Sequence, residues 1–285
     1  MLERKPVAPD TLVPERASAR RRSVALVFAV VAAGFLVAAG IALGANSTVG
    51  FTPTTSFSFR CDGQPVPNQC PKVTRTTGKL TLLTQPDPFA RVSRIRYLFD
   101  NDFRFRPWVV SKCAPNQLAS ADLAQAMATC GSKLIGTGRA AWGDPGGGSS
   151  VISCVLLFNG TNDPTTRDPR IVFYVRFQDF PSPDAQLTCE DPASNHRGDG
   201  TLVLPAVLTT VPRGDYRKEL DLPVPSFGFI PLGRLSFDLE KNTGTDGYVK
   251  ARCFDPDHVW NLRTKFTNKD DTTRTVNDTK TCKVG

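Results

Sequence analysis

The chain has 285 residues, with 35 Lys and Arg against 27 Asp and Glu, a formal net charge of +8. From Ala45 onward the excess is smaller, 29 Lys and Arg against 24 Asp and Glu, so the charge permits a polyanionic partner without demanding one, and no nucleic acid is expected. About 240 residues follow the only long apolar run, enough to bury one large all-β core or two small ones.

Residues 1–23 are polar and charged, with too little apolar content to fold, and read as a cytoplasmic basic tail. Val24–Gly44 carries no charge and no polar side chain, and eleven of its 21 residues are Val, Leu, Ile or Phe. As a helix it reaches about 30 Å, one hydrocarbon core. It is longer than the about 7–15 residues of a signal-peptide apolar region, which favours a retained anchor. Ala42-Leu43-Gly44 has the small-x-small pattern of a cleavage site, so secretion after cleavage near Gly44 is the alternative. Arg16, Arg20, Arg21 and Arg22 precede the run, and the next Lys or Arg is Arg60. Basic flanks stay inside, which predicts a single-pass membrane protein with a cytoplasmic N-terminus and an extracytoplasmic C-terminal domain.

Residues 45–56 are small and polar, a linker ahead of an ectodomain at 57–285. All eight cysteines, Cys61, Cys70, Cys113, Cys130, Cys154, Cys189, Cys253 and Cys282, lie in that ectodomain. An even number confined to an exported region reads as disulfides. Short loops close at the least entropic cost, which pairs them as neighbours: 61–70, 113–130, 154–189 and 253–282. Zinc would need close Cys-x-x-Cys pairs or adjacent histidines, and the sequence has neither, so no metal or cofactor is expected.

The ectodomain is written in short runs rich in Val, Ile, Thr, Phe and Leu, broken by Gly, Pro and Asp. Strands are predicted at 79–84, 93–99, 103–109, 151–158, 171–177, 201–209, 217–222, 235–240, 248–254 and 262–267. One soluble helix is expected in "LASADLAQAMATC", capped by Ser120, with Leu123, Ala124, Met127 and Ala128 as its apolar side. Gly136-Thr137-Gly138 and Gly146-Gly147-Gly148 read as turns. The fold class is mainly β, an antiparallel sandwich-like ectodomain with one short helix, preceded by a single transmembrane helix.

"RVSRIRYLFDNDFRFRPW" carries the strongest local pattern. Ile95, Tyr97 and Phe99 alternate with Arg94 and Arg96; beyond Asp100-Asn101-Asp102, Phe103 and Phe105 alternate with Arg104 and Arg106. Alternation about an Asx-rich turn predicts a hairpin that sets Arg96 opposite Arg106. Like charges directly opposed are unfavourable, so the face made by Arg94, Arg96, Arg104 and Arg106 is either solvated or an anion site.

Catalytic signals are weak. His196 and His258 are the only histidines, and no Gly-x-Ser-x-Gly nucleophile setting occurs. Asp100-x-Asp102 and Asp255-x-Asp257 lack the glycine and glutamate of an EF-hand loop and read as Asx turns. Two Arg-Gly-Asp tripeptides, at 197–199 and 213–215, are ordinary turn chemistry, and Asn46, Asn159 and Asn277 begin glycosylation sequons.

"RYLFDNDFRF" (96–105), "CGSKLIGTG" (130–138), "VISCVLLFNGT" (151–161) and "ARCFDPDHVW" (251–260) resemble segments in a loose group of exported, β-rich actinobacterial proteins. The resemblance implies a β-sandwich-like exported domain and carries no activity. The expectation is a non-enzymatic binding or structural protein of the cell envelope, with the membrane and an anionic envelope polymer as partners; the alternative is an exported or anchored hydrolase.

Overall fold

The computed structural model describes residues 52–87, 89–143, 151–177, 200–225, 230–243, 246–254 and 258–285. The chain divides into Met1–Gly50 and Phe51–Gly285, and all described residues belong to the second unit. Among them no helix is long and apolar enough to cross a membrane; the predicted anchor, Val24–Gly44, lies outside the described residues.

The second unit is mainly β, as expected. Its principal strands are β1 (Thr54–Cys61), β2 (Thr76–Gln85), β3 (Val92–Asp100), β4 (Leu134–Trp142), β5 (Val151–Gly160), β6 (Arg170–Phe177), β7 (Thr201–Arg213), β8 (Tyr216–Pro223), β9 (Leu232–Leu239), β10 (Val259–Asn268) and β11 (Thr273–Thr281). One helix, α1 (Leu123–Cys130), joins them. Alternation explains the strands: β2 and β10 bury every second residue over most of their length.

The strands form a thirteen-stranded sheet in the order β11-β10-β3-β8-β7-β6-β5-β4-β9-β2. β1 pairs with β2, and the short strands Val249–Ala251 and Arg104–Phe105 extend the same sheet beyond β2. The principal ladders are antiparallel.

The sheet rolls over on itself. Tyr97 on β3 donates its hydroxyl to Thr84 Oγ1 on β2 at 3.0 Å, although six other strands separate the two along the ladder order. Rings bridge the interior likewise: Phe237 on β9 meets Tyr97 edge-on at 5.9 Å and Phe173 on β6 at 5.3 Å. Side chains join the two ends of the sheet, Thr264 on β10 to Thr55 on β1 at 3.1 Å, and Asp278 on β11 to the Phe57 N–H at 2.9 Å. Phe59, Phe103 and Trp260 pack edge to face at one end of this interior. Each buried ring contributes about 1.5–3 kcal/mol.

β5 and β6 are buried on both faces. Their outer residues Leu156, Phe158, Val172 and Tyr174 form a second, smaller core under Leu118, Leu123 and Ala126. The Cys113–Cys130 disulfide ties α1 to this outer layer, and Tyr174 donates to the Ala121 carbonyl at 2.8 Å. The helix is capped by Asp122 rather than Ser120: its carboxylate accepts the Gln125 N–H at 2.8 Å, and Gln125 reciprocates at 3.0 Å. That shift turns the buried face to Leu123, Ala126 and Cys130.

Several expectations are corrected. β1 starts at Thr54, inside the span read as linker, because Thr55 is an inward residue of the barrel-like roll. Gly136 and Gly138 lie within β4, not in a turn; a Cβ there would collide with the Asp238 and Ser236 carbonyl oxygens of β9. Residues 103–109 hold only the two-residue strand Arg104–Phe105, because Pro107 lacks an N–H and opens a 3-10 turn. Residues 248–254 keep only Val249–Ala251. β1, β4 and β11 were not expected; β11 is exposed and polar, with alternation too shallow to announce it.

Three of the four expected disulfides are formed: Cys61–Cys70, Cys113–Cys130 and Cys253–Cys282. Cys154 is not free; its expected partner Cys189 lies outside the described residues.

Candidate anion-binding site

The hairpin expected at 96–106 does not form. β3 pairs with β8 and β10 instead, and Arg104–Phe105 pairs with Val249–Lys250. Asp100 is not a hairpin loop residue but a buried acceptor: its carboxylate takes the Asp102 N–H at 2.9 Å and the Asn261 N–H at 3.0 Å. Asp102, also buried, takes Arg252 Nε at 3.0 Å and the Phe254 N–H at 2.8 Å. Asp100 makes the local turn that the sequence suggests, whereas Asp102 is engaged by distant residues; Asp255 and Asp257 lie outside the described residues.

The four arginines separate into two groups. Arg96 faces Asp221 on one side and Lys265 on the other, and Arg94 Nε donates to Asp221 Oδ1 at 2.6 Å. The acidic neighbour that the hairpin lacked is supplied by β8. Arg104 and Arg106 go elsewhere, both beside the exposed Trp108, with guanidinium carbons 5.9 and 5.4 Å from its ring centroid. Arg106 is forked onto Asp246, which also takes Lys250 Nζ at 3.0 Å. Those two bonds, Arg106 first, hold the Asp246 carboxyl below its ordinary pKa.

Arg104 lines a pocket of about 260 Å³ with Arg75, Arg217, Lys218, Thr210 and Trp108, floored by Phe103 and Phe105. Among the described residues none of the four cations has a carboxylate oxygen within 4.0 Å. Arg75 is positioned by backbone: it donates to the Asn101 carbonyl at 3.3 Å and the Asp102 carbonyl at 3.4 Å. Lys218 Nζ rests on Thr210 Oγ1 at 2.6 Å. Partial burial, then the neighbouring Arg252, pushes the Arg75 guanidinium below its ordinary value, with Arg104 and Arg217 adding to the same effect against Asp102. Partial burial lowers Lys218 as well, opposed by Asp168 and reinforced by Arg217 and Arg104. Burial is the leading cause in both, with the neighbouring cations acting in the same direction.

Trp108 is held out at this rim by a buried amide. Asn159 Nδ2 donates to the Pro107 carbonyl at 2.8 Å and the Val110 carbonyl at 2.5 Å, pinning the turn that carries the indole. Asn159 is fully buried in this role, so its sequon is closed to glycosylation, whereas Asn277 is exposed.

The remaining chemical candidates resolve as structure or fall outside the described residues. His258, at φ 53°, has Nδ1 3.5 Å from Cys253 Sγ, and its carbonyl accepts the Cys282 N–H at 2.7 Å. Cys253, His258 and Cys282 are close enough together to hold a metal, but both sulfurs are spent in a disulfide and are not thiolates. His196 and the first Arg-Gly-Asp lie outside the described residues. In the second, Gly214 takes φ 57° in the turn between β7 and β8, and the carbonyls of Gly214 and Asp215 accept from Asn101.

Arg75, Arg217, Lys218 and Trp108 were missed by sequence reasoning. Only Trp108 left a signal, an aromatic directly after the Arg-Phe-Arg-Pro run. Comparison with protein-family models, curated proteins and solved structures finds no match.

Proposed function

We propose that this chain is a non-enzymatic binding protein of the cell envelope, anchored through Val24–Gly44 and binding an anionic partner in the pocket of Arg75, Arg104, Arg217 and Lys218. The observation that carries the reading is the pocket itself: four cations converge on one open cavity, and among the described residues none has a carboxylate oxygen within 4.0 Å. Leaving such charges facing each other is unfavourable unless a ligand supplies the counter-charge. Guanidinium groups donate in a planar fork that suits phosphate and carboxylate. The apolar run and its basic flank support the membrane placement, and the disulfides support an oxidising compartment.

The test uses the full chain, purified in detergent, on a heparin column. The protein is expected to be retained and to elute as salt rises, because exposed charges are screened over about 10 Å at 0.1 M. Arg104→Ala with Arg217→Ala should lose that retention. Unchanged retention by a folded double variant overturns the reading.

A further inference from the structure

We propose that the pocket takes a phosphate monoester carried on a sugar ring, with the phosphate among the four cations and the ring lying on Trp108. The inference rests on the anion-binding reading and adds the ligand's chemistry.

Charge selects the anion. A carboxylate brings one negative charge to Arg75, Arg104, Arg217 and Lys218, leaving three positive charges facing one another. A phosphate monoester brings about 1.5 to 2 negative charges at pH 7 and three acceptor oxygens. Two guanidinium forks and an ammonium can share those oxygens, and Thr210, already oriented by Lys218, adds a hydroxyl.

Size and shape select what carries it. The cavity, about 260 Å³, falls below the about 300–1,000 Å³ of sites for drug-sized molecules, so it admits one small unit rather than an extended ligand. Trp108 is 60% exposed at the rim, while the other two tryptophans, Trp142 and Trp260, are buried. An exposed indole beside the cations offers a flat apolar face on which a ring can stack. The wall's donors are the four cations, which the phosphate takes up, and Thr210; a sugar ring presents C–H groups to the indole and hydroxyls to water. The sugar phosphate is either a free metabolite or the phosphorylated end of an envelope polysaccharide; the chemistry at the pocket is the same.

The experiment titrates the detergent-purified full chain with glucose 1-phosphate, inorganic phosphate, glucuronate and maltose 1-phosphate, by calorimetry and tryptophan fluorescence. Glucose 1-phosphate should bind about tenfold more tightly than glucuronate at pH 7, and about fivefold more tightly than inorganic phosphate through the ring contact. Its affinity should fall between pH 7 and pH 5, as the second phosphate proton returns near pH 6, while that of glucuronate stays level. Trp108→Ala should erase the advantage over inorganic phosphate and the fluorescence change, leaving phosphate binding intact. Maltose 1-phosphate binding as well as glucose 1-phosphate supports a polysaccharide end; binding of the monosaccharide alone supports a free sugar phosphate. Glucuronate equal to glucose 1-phosphate, or a Trp108→Ala variant that keeps the sugar advantage, overturns the inference. Heparin retention lost with Arg104 and Arg217 would still leave the anion-binding reading standing in that case.

Discussion

Arg94 and Arg96 lie on the outer face of β3 with Asp221 beside them. Arg75, Arg104, Arg217 and Lys218 meet around a pocket whose described lining offers aromatic rings and no carboxylate. Arg94, Arg96 and Arg104 come from one stretch of eleven residues. Their surroundings differ because distant segments supply the neighbours: β8 brings Asp221 to the first pair, while the start of the same strand brings Arg217 and Lys218 to the second group. One strand thus neutralises arginines at one end and concentrates cations at the other. The pocket also has a buried polar frame beneath it, in Asp102 and Asn159, which the sheet-face pair lacks.

The largest effect should come from breaking that frame. Asp102→Ala removes the acceptor of Arg252 and of the Phe254 N–H, and leaves a guanidinium unpaired with its side chain only 22% exposed. Loss of about 3 kcal/mol of stability is expected, at the low end for opening a buried pair because Arg252 keeps some solvent. Urea unfolding of the Asp102→Ala and Asp102→Asn variants measures it. The Asn variant should lose less, since its amide oxygen still accepts from Phe254. Equal loss in both would assign the whole effect to the charge.

Asn159→Ala comes next. It strips the shared donor from the Pro107 and Val110 carbonyls and opens space beside β5, for about 2 kcal/mol. Because that donor fixes the turn bearing Trp108, the tryptophan emission should also shift toward that of a freer indole. A stability loss without any change in emission would show that Trp108 is held by its flanking arginines instead.

The fold was legible where alternation is strong. β2 and β10 bury every second residue along most of their length, and these strands, like β3 and β8, were expected in place. Disulfides were legible as neighbours because the closed loops are short, 9, 17 and 29 residues apart in sequence. Pairing was not legible. Asp100-Asn101-Asp102 has the composition of a hairpin turn, and nothing local shows that Asn261 and Phe254 will claim its carboxylates. The site was legible only in Arg104: Arg75 and Arg217 are separated by most of the ectodomain and meet only after the sheet has rolled.

Within the site, Arg104→Ala with Arg217→Ala should reduce affinity for a phosphorylated ligand at least about tenfold, equivalent to about 1.4 kcal/mol. Both side chains are exposed, so folding should be unaffected, and stability should rise slightly as like charges are removed. Calorimetry against glucose 1-phosphate and a parallel urea titration read the two quantities. A fall in stability matching the fall in affinity would make the pair structural.

The smallest effect is expected from the other group, and it is the control that gives the comparison its meaning. Arg94→Ala with Arg96→Ala removes the same two charges from a chain whose net charge is +8. If net charge governed binding, both double variants would elute from heparin at the same salt. If arrangement governs it, the sheet-face variant should elute close to the unaltered protein. Its stability should change by at most about 1 kcal/mol, because Arg94 is 54% exposed and its bridge to Asp221 is a surface pair. Part of that loss is offset, since Arg96 also faces Lys265 and its removal relieves a like-charge contact. A cycle with Asp221→Ala separates the two contributions: the Arg94–Asp221 coupling should be favourable and weaken with salt. Equal loss of heparin retention in both double variants would mean that the partner responds to charge spread over the sheet, and the pocket would then carry no specificity of its own.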